Sequence, residues 1–72
     1  MMTNNDASLK AGNYLRYLIQ DNYVTQEEFS LDFGAELRTV NRWINQGIHK
    51  IDLVQQLAAF FEVDFLDFFK DF

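Results

Sequence analysis

The segment formed by residues 25–47 constrains the fold most, because it is typical of two short helices joined by a tight turn. Thr25 can cap the first helix through its hydroxyl group, and Glu28, three residues later, can complete a capping box. Phe29 and Phe33 follow one helical turn apart, so they share one face of that helix. The segment therefore begins as a short amphipathic helix with a defined start.

Gly34 is expected to end this first helix, because glycine readily adopts the backbone conformation that terminates helices. A second helix is predicted from about Leu37 to Asn45. Its inward face, at helical spacing, consists of Val40, Trp43 and Ile44. Two helices separated by a glycine turn form a helix-turn-helix.

The outward side chains of the second helix are of the kinds that bind phosphates and base edges. Together with neighbouring polar positions, the candidates for facing DNA or a partner protein are Gln26, Leu37, Arg38, Thr39, Asn41, Arg42, Asn45 and Lys50. The single histidine, His49, lies beside Lys50 in the loop after this helix. Its expected role is at the surface or facing phosphate, rather than in catalysis or metal binding.

The rest of the chain also has helical periodicity. A first helix is predicted from about Ser8 to Asn22 and a fourth from about Asp52 to Phe61, followed by a short last helix capped by Asp64. The residues predicted to be buried are Ala11, Leu15, Leu18, Ile19, Val54, Leu57, Ala58, Phe61, Phe65, Phe68 and Phe69. The expected fold is all-α, a compact bundle of about five short helices over residues 8–72, with a flexible N-terminus over residues 1–7.

Composition limits the class of protein. A chain of 72 residues is one domain with a small core, so a homodimer or a partner protein would add stability. There is no cysteine, no signal peptide and no apolar run of membrane-spanning length, which together predict a soluble cytoplasmic protein. No arrangement of residues typical of an enzyme, a metal site or a cofactor site is present.

The charges are unevenly distributed. The net charge is −5, yet Arg38, Arg42 and Lys50 lie between Leu37 and Ile51 without any acidic residue among them. The remaining sequence holds 3 basic and 11 acidic residues, a balance of −8. Since affinity for duplex DNA comes largely from cations that displace counterions, the basic stripe favours DNA contact and the acidic remainder opposes it.

Several of these residues resemble the lambda-repressor-like family of helix-turn-helix domains, to which the Cro and cI repressors of phages belong. The resemblance is carried by TQEE at the start of the motif, by the apolar-glycine turn and by RW in the second helix. It extends from YLRYLIQDNYV to LVQQLAAFFEVDFLDFF. It implies an operator-binding or operator-regulating protein of bacterial cytoplasm. Size and acidity are similar to those of the modulators of repression of temperate phages, antirepressors that act on a phage repressor.

Two positions depart from the family pattern. Ile19 and Ile44 stand where members of the family commonly pair arginine with glutamate, which predicts an apolar contact in place of an ion pair. The second helix begins with Glu36 and Leu37 where the family favours a serine or threonine cap. A glutamate there caps weakly and opposes an approaching phosphate, and a leucine offers a base edge only apolar contact.

The C-terminal segment is unusually aromatic, and a core of this size can hardly bury all of its rings. Phe60, Leu66 and Phe72 are the candidates for an exposed protein interface, interleaved with acidic residues. An apolar patch with an acidic rim suits a basic partner. The alternative is that Phe72 folds back onto the core.

Two functions follow from these observations. In the first, the chain regulates a phage-type switch between lysis and lysogeny by binding a basic repressor protein and modulating its operator binding. In the second, it binds an operator directly, as a Cro-like dimer, with Arg38, Asn41 and Arg42 in the major groove. A complex in which the partner anchors this chain on DNA would combine the two.

Overall fold

Helix α1 (Asn4–Asn22) is the longest element, and every other element contacts it. The computed structural model describes residues 4–70, with side chains from residue 7 onward. Helices α2 (Gln26–Phe33), α3 (Leu37–Gln46) and α4 (Ile51–Phe61) follow, and a 3₁₀ helix (Phe65–Phe69) comes last. These elements include no strand within residues 4–70, which confirms the predicted all-α fold of about five short helices.

Helix α1 begins four residues before the start at Ser8 that the apolar pattern predicts. Its first turn is polar, and a periodic stripe of apolar residues cannot reveal a turn that buries no apolar side chain. Residues 4–7 of the segment predicted to be flexible belong to α1, and residues 1–3 lie outside the described part of the chain, so the flexibility of this segment stays a prediction. None of the helices within residues 4–70 has the length and apolar character needed to cross a membrane.

All five elements contribute to the core, which contains most of the residues that helical spacing places inward. The exceptions are four aromatic residues predicted to be inward that are only half-buried, Trp43, Phe61, Phe65 and Phe69. The buried side chains are those of Ala11, Leu15, Leu18, Ile19, Phe29, Val40, Ile44, Ile48, Val54, Leu57, Ala58 and Phe68. Trp43 and Phe61 are half-buried and pack against this cluster. Ile19 and Ile44 belong to the same buried cluster, and the direct contact between them stays a prediction.

The C-terminal aromatic segment closes the bundle. The Asp64 carboxylate accepts a hydrogen bond from the Leu66 amide at 3.0 Å, as expected for an N-cap, and the helix that follows is of the 3₁₀ type. Phe68 is fully buried and its ring meets that of Tyr14 edge to face, with centroids 4.9 Å apart. Phe65 and Phe69 are half-buried against the same core.

Candidate recognition helix and partner surface

Helix α2 is fixed at both ends by its own residues. The Thr25 hydroxyl accepts a hydrogen bond from the Glu28 amide at 3.2 Å, and the Glu28 carboxylate accepts from the amides of Val24 and Thr25. At the other end Gly34 adopts a left-handed conformation, φ 90°, and its amide donates to the Ser30 carbonyl at 2.9 Å. The predicted capping box and glycine turn are therefore confirmed.

Helix α3 is positioned by its close approach to α1. A Cβ atom on Gly12 would lie 2.4 Å from the carbonyl oxygen of Trp43, so only glycine lets the two backbones come this near. At the end of α3 the amide of Gly47 donates to the Trp43 carbonyl, and the amide of Ile48 donates to the Ser8 carbonyl, each at 3.0 Å. The close approach at Gly12 and the Ile48–Ser8 hydrogen bond therefore fix the C-terminal end of α3 against α1.

The outer face of α3 carries the polar side chains that the sequence places there. Arg38, Asn41, Arg42 and Asn45 are exposed, and Thr39 is half-buried. All five line one shallow depression, together with Glu36 and Gln46. The structure therefore brings most of the candidate recognition residues onto a single open surface.

A second depression lies between α3 and α4 and extends this surface. Arg42 borders both depressions, and His49, Lys50 and Asp52 line the second one. The His49 Nδ1 atom and the Ser8 hydroxyl form a hydrogen bond of 3.1 Å, which links this loop to α1. Lys50, which is distant from Arg38 in sequence, thus joins the same basic surface through Arg42.

Two of the candidate recognition residues line neither depression. Gln26 is half-buried in the first turn of α2, and Leu37 at the start of α3 is about one-third exposed. Sequence spacing identifies the start of a helix but not the surface that its first residues join.

The start of α3 carries an acidic residue, Glu36, as its N-cap. Glu36 makes no side-chain capping bond, and its carboxylate Oε1 lies 3.4 Å from the Arg38 Nε. Both side chains are highly exposed, so this ion pair contributes little to stability. Its consequence is electrostatic, because a negative charge stands at a helix N-terminus and neutralises part of the basic stripe.

The candidate protein interface at the C-terminus is only partly assembled in the described chain. Leu66 is 60% exposed. Phe60 is 38% exposed, and its ring packs edge to face on those of Phe29 and Phe33, so it forms the edge of the core. Phe72, the third candidate, lies outside the described residues.

The two most exposed large aliphatic residues of the described chain are not among those that the sequence predicts for a protein interface. Val24 is 89% exposed and Leu31 is 80% exposed, more than Leu66. A signal for Leu31 was present, since it lies two residues after Phe29 and therefore away from the apolar face of α2. Val24 precedes the capping residue, where an apolar side chain often packs back on the helix; here it points into solvent.

Two tyrosines, Tyr14 and Tyr23, have raised pKa values. Burial is the main cause that raises the pKa of Tyr23, and the hydrogen bond that its hydroxyl donates to Asp32, 3.0 Å long, adds to the effect. Burial also raises the pKa of Tyr14, and the negative charge of Asp67 contributes. Both phenols are therefore neutral near pH 7.

Within the described residues, no cluster of three or more histidine, cysteine, aspartate or glutamate side chains could hold a metal ion. Comparison of the chain with protein-family models, curated proteins and solved structures found no match.

Proposed function

We propose that this protein is a small helix-turn-helix regulator of a phage-type genetic switch, which acts chiefly by binding a basic repressor and modulating its operator binding. The observation that carries the proposal is the placement of a helix-turn-helix in an acidic domain. Outside the stretch from Leu37 to Ile51, acidic residues exceed basic ones by eight. In this proposal the protein acts in the bacterial host cytoplasm, without a cofactor and without catalytic activity.

The proposed mechanism is electrostatic attraction between this acidic protein and the basic face of a repressor. The DNA-binding face of a repressor must be basic to neutralise phosphates, and an acidic domain is attracted to the same face. A protein bound there competes with the operator, because two negatively charged partners cannot occupy one basic surface together. Exposed apolar side chains then slow dissociation of the complex, because apolar anchors act mainly on the dissociation rate.

The start of α3 is unfavourable for direct DNA binding, so DNA binding is expected to be secondary to repressor binding. The Glu36 carboxylate at the N-terminus of α3 would repel a phosphate that approached the helix amides. The same carboxylate lies 3.4 Å from the Arg38 guanidinium, so one of the few cations of the basic surface is partly neutralised. Binding of duplex DNA by this chain alone is expected to be weak.

The second candidate function is direct, Cro-like operator binding. The observation that favours it is the open surface of α3, on which Arg38, Asn41 and Arg42 are exposed side by side in one depression. Guanidinium and amide groups are the side chains that read guanine and adenine in the major groove. The two functions are compatible if the repressor anchors this chain close to DNA.

Fluorescence anisotropy separates the two functions. The repressor to be tested is the product of the adjacent gene on the opposite strand, and the labelled probe is the intergenic DNA between the two genes. We expect this protein alone to bind the probe no tighter than about micromolar at physiological salt. We expect the repressor to bind tightly and to lose or change its binding when this protein is added.

Arg42→Ala is the matched variant. It should weaken any binding of this chain to DNA but leave its effect on the repressor intact. Nanomolar, sequence-specific binding by this protein alone would favour the Cro-like function. An adjacent repressor whose operator binding is unchanged by a large excess of this protein would overturn the proposal.

A further inference from the structure

The two most exposed large apolar side chains of the described chain border the same depression beside α2. Val24 and Leu31 line one shallow depression, together with Tyr23, Glu28 and Asp32. A single exposed leucine is ordinary on a protein surface, whereas apolar side chains grouped around one depression are typical of an interaction site.

This depression continues into a second one at the end of α4. Tyr23 and Asp32 border both, and Phe60 and Glu62 line the second. We define the α2 surface by its apolar side chains and its acids, which are Val24, Leu31, Phe60, Glu28, Asp32 and Glu62.

The α2 surface is negatively charged. Its defining residues include three acids, and neither depression is lined by a lysine or arginine from the described residues. In sequence, residues 17–37 hold five acids and no basic residue. An apolar patch with a rim of one charge selects a partner of the opposite charge.

The α2 surface is also preorganised. The Tyr23 hydroxyl donates to Asp32 at 3.0 Å, the Val24 amide donates to Glu28 at 3.1 Å, and the ring of Phe60 is held by neighbouring aromatic rings. Leu31 stands on a helix that is capped at both ends. The groups that these contacts hold lose less conformational entropy when a partner binds.

We infer that the α2 surface, rather than the recognition helix or Leu66, is where this protein binds the basic repressor, an inference that rests on the proposed function. The occupant is a segment of the repressor that places an aliphatic side chain between lysines or arginines. The aliphatic group covers Val24 and Leu31, and the cations meet Glu28 and Asp32. The arrangement leaves α3 free on another surface.

A second copy of this chain is a poor occupant of the same surface. A two-fold symmetric dimer brings the same patch of both subunits together, so the three acids of one α2 surface would face those of the other. Like charges at the rim of an interface oppose association.

Surface plasmon resonance with the immobilised repressor tests this placement. The two matched variants are Leu31→Ala and Leu66→Ala, which remove the same atoms from exposed positions on different surfaces. We expect Leu31→Ala to dissociate about tenfold faster than the wild type and Leu66→Ala to stay within about twofold of it. A second pair separates charge from contact: Asp32→Asn should slow association at low salt more than Asp52→Asn does.

Circular dichroism melting of each variant shows whether it is folded, and both leucines are exposed enough that folding should be kept. Faster dissociation of Leu66→Ala with unchanged Leu31→Ala would overturn this inference and leave the proposed function standing. A dimer of this protein that Leu31→Ala disrupts would assign the surface to a second copy and overturn it as well. Wild-type protein that does not bind the repressor at all would overturn both proposals.

Discussion

Helices α2 and α3 are neighbours in the helix-turn-helix, yet they are stabilised by different means. Thr25 and Glu28 cap the start of α2, and Gly34 ends it in a left-handed conformation. Helix α3 begins at Glu36 with no side-chain cap, and its position depends on the close contact of its backbone with Gly12 of α1. The first helix is specified locally and the second by tertiary packing.

The two helices also expose opposite chemistry. The outer side of α2 carries acids and Leu31, whereas the outer side of α3 carries Arg38 and Arg42 among polar side chains. Asparagine and threonine are weak helix formers, and α3 contains both. Because packing against α1 holds α3, its exposed positions do not need residues of high helix propensity.

The largest effect should come from Gly12→Ala, which tests whether α1 positions α3. The new Cβ atom would lie 2.4 Å from the Trp43 carbonyl oxygen and 3.1 Å from that of Ile44, so the helices must separate. Overpacking of this kind costs about 3 kcal/mol of unfolding free energy, a large part of the stability of so small a domain. Urea denaturation followed by circular dichroism measures it.

Gly34→Ala is the control for that variant. Its Cβ atom would meet nothing within 4 Å, and only the left-handed backbone at φ 90° opposes it. The expected cost is about 1 kcal/mol. If the two alanine variants were equally stable, close packing of α1 on α3 could not be what holds α3 in place.

A smaller effect is expected from removing the cap of α2. Thr25→Ala deletes the hydroxyl that accepts the Glu28 amide hydrogen bond, and should cost about 1 kcal/mol of unfolding free energy. Thr25→Ser keeps the hydroxyl and should be close to the wild type. Glu36→Ala, at the equivalent position of α3, should cost less than Thr25→Ala, because Glu36 makes no capping bond. Equal losses in the two helices would remove the distinction drawn between them.

The distinction between local specification and tertiary packing also explains which features of the fold can be predicted from the sequence. The cap at Thr25, the turn at Gly34 and the inward stripe of Leu15, Leu18 and Ile19 follow local rules, and each is confirmed. The role of Gly12 is not predictable in this way, because its significance depends on a backbone more than thirty positions away in the chain.

The candidate site can likewise be predicted from the sequence only in part. Helical spacing alone places Arg38, Asn41 and Arg42 on one exposed face. The surface formed by Tyr23, Leu31 and Phe60 joins the end of α1, α2 and the end of α4, so only the folded chain reveals it. Surfaces made from one helix can be predicted from periodicity, and those made from several helices cannot.

Glu36→Ser should give α3 a side-chain cap and remove the negative charge at its start. A serine at this position can accept a hydrogen bond from the first turn, which should add about 0.5 kcal/mol of unfolding free energy. Loss of the carboxylate also frees Arg38 from its ion pair and removes a negative charge from the helix start. Binding of duplex DNA should therefore tighten by about threefold at low salt, measured by anisotropy.

Asp21→Asn is the control for charge in that experiment. It removes one negative charge from α1 and leaves the start of α3 unchanged. DNA binding that rises equally in both variants would show that net charge alone matters, and that the start of α3 has no particular role.

The smallest effect concerns the outer side of α2 and is electrostatic. Asp32→Asn should lower the pKa of Tyr23, because Asp32 accepts its hydroxyl hydrogen bond and adds a negative charge beside it. The pKa should stay above the ordinary value of 10.0, since burial is the largest cause of the increase. NMR titration of the tyrosine ring carbon signals measures the change, and Asp67→Asn is the control, because Asp67 raises the pKa of Tyr14 instead.

The same pKa shift fixes the sign of a pH dependence. A raised pKa in the folded protein means that the folded state holds the phenolic proton more tightly than the unfolded chain does. The resulting stabilisation is fully present below pH 10.0 and is lost as the pH rises through the pKa of Tyr23 in the folded state. Asp32→Asn should therefore make the loss of unfolding free energy at alkaline pH less steep. An unchanged Tyr23 titration in this variant would show that Tyr23 and Asp32 do not form a hydrogen bond in solution. This part of the α2 surface would then not be ordered before a partner binds.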